Sequence, residues 1–109
     1  MSQQTINRWE SMRTPETRKV EEVVRVKFPK TDAYRFNSAS IRVRIIDDRF
    51  EGHSREERDA MVEPLLDKLP ATTQADIINL LTLTPGEINN PGRRSLSNLE
   101  FEDPSDSNL

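Results

Sequence analysis

The sequence predicts an α+β fold, a two-layer sandwich with the order helix, strand, strand, helix, strand, in which a helix pair covers one face of a three-stranded sheet. Three observations predict it. Ile41, Val43 and Ile45 alternate with Arg42 and Arg44, the period of two of a strand with one buried and one wetted face. That strand runs into Gly52 and then Ser54, with Glu57 three residues further on. This is the S-x-x-E capping box, in which each side chain satisfies an orphan backbone donor at the start of a helix. Ala75 to Thr84 is an apolar run in which Thr82 and Thr84 favour sheet, and a domain with only a hairpin between two helices would lack apolar cover.

Residues 1–13 hold Ile6, Trp9 and Met12 at a spacing of three, but so short a helix beside a terminus is marginal alone and needs docking to hold it. Thr14-Pro15-Glu16 is a helix start: Thr14 as N-cap, Pro15 at the first helical position and Glu16 near the positive end of the dipole. Val20, Val23, Val24 and Phe28 then form one apolar stripe before Pro29. Ala33 to Phe36 is a short strand, separated from the Ile41 to Ile46 strand by Asn37-Ser38-Ala39-Ser40, as in an antiparallel hairpin. The helix opened by Ser54 carries Met61, Val62, Leu65, Leu66 and Leu69 on one side, with Pro64 expected to kink it near Ala60. Pro85-Gly86-Glu87 can open a brief helical turn. Residues 14–90 are thus the expected domain, and 1–13 an extension ordered in part at most. Residues 91–109, rich in Asn, Pro, Ser and acid, are expected to be a disordered tail, and deletion of residues 93–109 is expected to leave the melting curve almost unchanged.

Composition narrows the function. The 109 residues carry 16 basic and 19 acidic side chains, a net charge of −3, which argues against nucleic-acid affinity from bulk electrostatics. Glu100, Glu102, Asp103 and Asp106 concentrate the negative charge at one end and leave the rest near neutral. There is no cysteine, hence no thiolate ligand or cysteine nucleophile. No apolar run reaches the roughly 18 residues of a membrane span, and the start lacks the apolar centre of a secretory signal. The expected location is the cytoplasm, with no membrane partner.

The segments Ile45-Ile-Asp-Asp-Arg-Phe-Glu-Gly-His-Ser-Arg-Glu-Glu-Arg58 and Leu81-Thr-Leu-Thr-Pro-Gly-Glu87 resemble the BolA-like family. The first is similar to its strand end, Phe-Glu-Gly turn and arginine-bearing helix, the second to its last strand and Leu-Thr-Pro-x-Glu exit. The resemblance covers residues 17–87 and implies a class II KH-type topology. It also implies a monothiol glutaredoxin as a candidate partner, sharing a two-iron two-sulfur cluster through a histidine at the start of the final strand. Asp76 occupies that histidine position, and the hairpin loop holds neither His nor Cys. A carboxylate oxygen is a hard donor, poorly matched to an iron–sulfur centre, so no cofactor is expected.

His53, the one histidine, lies among Asp47, Asp48 and Glu51, but arginines alternate with these acids, which favours a solvated turn with surface ion pairs over a metal site. No histidine-paired nucleophile, HExxH motif or glycine-rich phosphate loop occurs. The expected protein is a small non-enzymatic binding or regulatory module, a protein-interaction adaptor whose exposed sheet and Phe50-Glu51-Gly52 turn meet a partner. A nucleic-acid-binding module is the alternative. Arg35, Arg42 and Arg44 are expected on one exposed sheet face, with Arg49 and Arg58 nearby and Arg18, Arg25 and Lys27 along the first helix. Against it, the three glycines do not form the GxxG loop with which KH domains clamp a nucleic-acid backbone. A third reading is iron–sulfur assembly with a glutaredoxin.

Overall fold

A computed structural model describes residues 7–90 and 95–106. Helix α1 spans Pro15–Arg25, strands β1 and β2 span Thr31–Asn37 and Ser40–Ile46, and α2 spans Arg55–Leu66. After α3 (Ala71–Asp76) come β3 (Ile77–Leu83), α4 (Pro85–Asn89) and α5 (Leu96–Glu102). The fold is α+β, with a mixed sheet of order β1-β2-β3. β1 and β2 form the expected antiparallel hairpin. β3 returns parallel to β2, a direction that requires the crossover supplied by α2 and α3.

The local signals account for the helix boundaries. Thr14 and Thr17 form a reciprocal capping box at α1, Ser54 and Glu57 another at α2, and Thr84 and Glu87 a third at α4. Gly52 sits at φ 78°, a left-handed conformation that glycine adopts without steric cost, and it turns the chain from Phe50 into α2. Helix α2 continues through Pro64 to Leu66. Residues Ala75 and Asp76, expected as extended, close α3 instead, so the last strand begins at Ile77.

One sheet face forms the main core. Ala33, Ile41, Val43 and Ile45 pack against Val20, Val24 and Phe28 of the α1 region and Val62 and Leu65 of α2, with Phe50 between. Phe50 stacks on Phe28 with ring centroids 5.4 Å apart. This is the expected two-layer arrangement.

The second face is not open. Trp9, in a 3-10 turn over Arg8–Met12, and Phe101 of α5 close on Tyr34. The three rings are in contact, with centroids 4.8 to 6.0 Å apart. The expectation of a disordered tail is therefore corrected within 95–106: Ser95 caps a seven-residue helix whose Phe101 is buried. Alone, a helix of that length would not persist; burial of Phe101 against the sheet stabilises it. Ile6 and residues 91–94 and 107–109, which belong to the expected extension and tail, lie outside the described residues. No helix among the described residues is long and apolar enough to cross a membrane.

Candidate functional site

The arginine face was the leading sequence-based candidate, and its register divides it. In the β1–β2 ladder Tyr34 pairs with Arg42 and Asp32 with Arg44, whereas Arg35 pairs with Ile41. Since side chains alternate between faces, Arg35 points to the helical side and Arg42 and Arg44 to the side covered by α5. The three do not share an exposed face. Arg35 donates to Glu16 at 2.8 Å and to Asp76 at 3.0 Å.

On the other face, the acidic C-terminal helix neutralises the basic strand. Arg42 donates to Glu100 at 2.6 Å, and Arg44 to Glu102 and Asp32, each at 2.8 Å. Arg44 also donates to the Asn98 side chain at 2.9 Å, and its side chain is 8% exposed. The Tyr34 hydroxyl donates to the Phe101 carbonyl at 2.9 Å and accepts from Arg42 at 3.1 Å. Burial raises the Tyr34 pKa above its ordinary value, against the opposing pull of Arg42. Hydrogen bonds from Ser105 and then from Arg42 hold the Glu100 carboxyl down to about 2. The cover is imperfect: Arg44 Nε and Trp9 Nε1 are buried without an acceptor among the described residues. Each such group costs about 1–3 kcal/mol, a penalty that the main core, with no such group among the described residues, does not carry.

The two remaining arginines are also paired. Arg49 chelates Asp47 at 2.8 Å and donates to the Lys27 carbonyl. Arg58 donates to Glu87 at 2.7 Å, to the Thr82 carbonyl at 3.0 Å and to the His53 carbonyl at 2.9 Å, tying α2 to β3 and α4. Thus all five arginines expected to contact a partner already donate to carboxylates of this chain. Sequence reasoning missed the acids because four of the partners, Glu16, Asp76, Glu87 and Glu100, lie 19, 41, 29 and 58 residues from their arginines. The pairing of an acidic terminus with a basic strand was the available signal.

The site residues implied by the family resemblance do not fit an iron–sulfur cluster. Asp76 is engaged by Arg35, His53 lies in the exposed turn 3.8 Å from Glu57, and no group of three His, Cys, Asp or Glu side chains able to hold a metal occurs among the described residues. The turn at Phe50-Glu51-Gly52 presents only Glu51 and Gly52, because Phe50 is fully buried.

The two sheet edges differ sharply. At β1, the buried Glu21 carboxylate accepts the Ala33 backbone N–H at 3.0 Å and Arg13 at 2.9 Å, while Arg25 donates to the Thr31 carbonyl at 2.9 Å. That edge is covered at Thr31 and Ala33. At β3, the Leu83 carbonyl accepts from Asp47 on the β2 side and the Thr82 carbonyl accepts from Arg58 on the outer side. Strand alternation then directs the N–H and C=O of Leu80 outward as well. Beside them lies a groove of about 310 Å³, floored by Leu66, Ile77 and Leu80 and rimmed by Asp59, Glu63 and Asp67. Ile78, on the same strand, is 71% exposed.

No protein-family model, curated protein or solved structure matches the chain.

Proposed function

We propose that the protein is a small non-enzymatic binding module, a protein-interaction adaptor of BolA-like character without the cluster ligand of that family. One observation carries the reading. The five arginines expected on the sheet, the turn and α2 all donate to carboxylates of this chain, whereas among the described residues no strand pairs with β3 from Ile77 to Leu81 on its outer side. Nucleic-acid affinity depends on cations that replace the counterions of the backbone, and Arg42 and Arg44 could do so only by giving up Glu100 and Glu102. A protein partner needs no such exchange. The BolA-like words around Phe50-Glu51-Gly52 and Leu81 to Glu87, together with the helix, strand, strand, helix, strand order, support the same class of module.

The test pairs two measurements on the full chain. Fluorescence anisotropy with labelled duplex and single-stranded DNA and RNA, at about 50 and 200 mM salt, is expected to show no binding at either. Crosslinking in lysate of the source cells, with purified monothiol glutaredoxin as a defined probe, is expected to yield a protein adduct. Tight, steeply salt-dependent nucleic-acid binding would overturn the adaptor reading. An adduct with glutaredoxin that is colourless and survives Asp76→Ala would identify the partner without a cluster.

A further inference from the structure

The outer edge of β3 has a backbone, a floor and a rim that specify what lies on it. Strand addition, in which an extended peptide pairs with an exposed sheet edge, takes affinity from main-chain hydrogen bonds and selectivity from alternate side chains. Proteins ordinarily blunt such edges with charge, proline, bulges or a covering element. β1 follows that rule through Glu21, Arg13 and Arg25. At β3 a bulge interrupts the register between Ile41 and Arg42, and Arg58 covers the edge at Thr82. From Ile77 to Leu81 no strand pairs with it among the described residues.

We propose that this edge, on the adaptor reading above, is a strand-addition site for an extended segment of another protein in which Lys or Arg alternates with apolar residues. The two sides of β3 dictate the alternation. Toward α2, Leu66 and Leu80 offer an apolar floor while Asp59, Glu63 and Asp67 stand at the rim, and none of these three carboxylates has a cationic partner among the described residues. A Lys or Arg side chain lays its methylenes on such a floor and its charge among such carboxylates. Toward α5, Asn79 and Leu81 lie beside the 80%-exposed Leu96, a surface suited to small apolar side chains. A peptide strand presents alternate residues to these two sides, so basic residues fall in one phase and apolar residues in the other. Charge also decides against a second copy of this chain. Two β3 edges paired about a two-fold axis would present the same acidic rim from both partners.

The probe is a fluorescein-labelled peptide of four valine–lysine repeats, titrated into the full chain and read by anisotropy. Binding is expected, weakened at least tenfold by Glu63→Lys with Asp67→Lys, both exposed positions, and lost when glutamate replaces the lysines. Two further peptides carry N-methyl groups on every valine or on every lysine. Only the phase whose amides face β3 should abolish binding, because residues of one phase share both a side-chain face and a backbone direction. Equal effects of the two methylations, or no binding of the parent peptide, would overturn the proposal. A sedimentation dimer dispersed by Ile78→Lys would overturn it too, by making a second copy the occupant. Should the peptide fail while wild type and the Glu63→Lys, Asp67→Lys variant crosslink to the same protein, the adaptor reading survives and the β3 site falls. Should nothing crosslink either, both fall.

Discussion

The Tyr34 hydroxyl donates to the backbone carbonyl of Phe101, 67 residues later in the chain, at 2.9 Å. That bond fastens the C-terminal helix to the first strand at the centre of a ring cluster that also includes Trp9. Both ends of the described chain thereby meet on the sheet face opposite the main core.

Replacing Phe101 by alanine tests this layer directly. Large-to-small substitution of a buried phenylalanine costs about 3–5 kcal/mol when the site cannot collapse; here the neighbouring turn can relax, which favours about 3. Urea unfolding measures the loss. Trp9 is the only tryptophan and is 5% exposed, so its emission should shift to the red in native Phe101→Ala. Unchanged emission and stability would mean that α5 does not pack on the sheet.

Phe50→Ala provides the comparison from the main core. Phe50 is fully buried and stacked on Phe28, in a setting walled by helix and sheet that cannot close around a void. A cost of about 4 kcal/mol is expected, measured by the same urea titration, with little effect on Trp9 emission in the native state. A smaller loss than for Phe101→Ala would reverse the ranking of the two layers.

The difference between the layers is also where sequence reading succeeded and failed. Val20, Val24, Ile41, Val43 and Val62 were legible because their periods are local, and the box at Ser54 fixed the start of α2 within four residues of sequence; Pro85-Gly86-Glu87 marked the α4 turn, whose Thr84–Glu87 box the structure adds. Thr14 was legible as a cap, although its partner at the third position is Thr17. Nothing local revealed α5: Phe101 sits among acids, and its stabilising partners are Tyr34 and Trp9, far away in the chain. Arg35 faces the helices rather than sharing a face with Arg42 and Arg44, because the hairpin register pairs it with the core residue Ile41, and that register depends on the loop rather than on the local alternation of either strand. The exposure of the β3 edge was hidden for a related reason, since a strand's position at the edge is a property of the whole sheet.

Gly52 and Gly86 should respond differently to alanine. Gly52 has φ 78° with nothing within 4 Å of an added Cβ, so Gly52→Ala meets only the intrinsic penalty of the left-handed region, about 1–2 kcal/mol. At Gly86 an added Cβ meets Thr84 Oγ1 at an ordinary 3.9 Å, and alanine favours the helix by about 0.5–1 kcal/mol over glycine. Thermal unfolding should therefore place the two variants on opposite sides of wild type.

Acid should detach the C-terminal helix before it unfolds the domain. The Glu100 carboxyl is depressed from its ordinary 4.5 to about 2 by Ser105 and Arg42, and Asp47 is likewise lowered, chiefly by Arg49. A carboxyl whose pKa is lower in the folded state binds more protons when released, so the stability it contributes is complete above the ordinary value and declines as pH falls through the folded one. The contribution of Glu100 is thus present at neutral pH and lost between 4.5 and about 2. Its side chain is 39% exposed, so screening by water and salt reduces the effect. Trp9 emission should red-shift within that window while the far-ultraviolet circular dichroism of the main core persists. Glu100→Gln should flatten the fluorescence titration there, because it removes the titrating group on the α5 side of the Arg42 pair. Coincident loss of both signals in wild type would show that the terminal layer and the main core unfold as one unit.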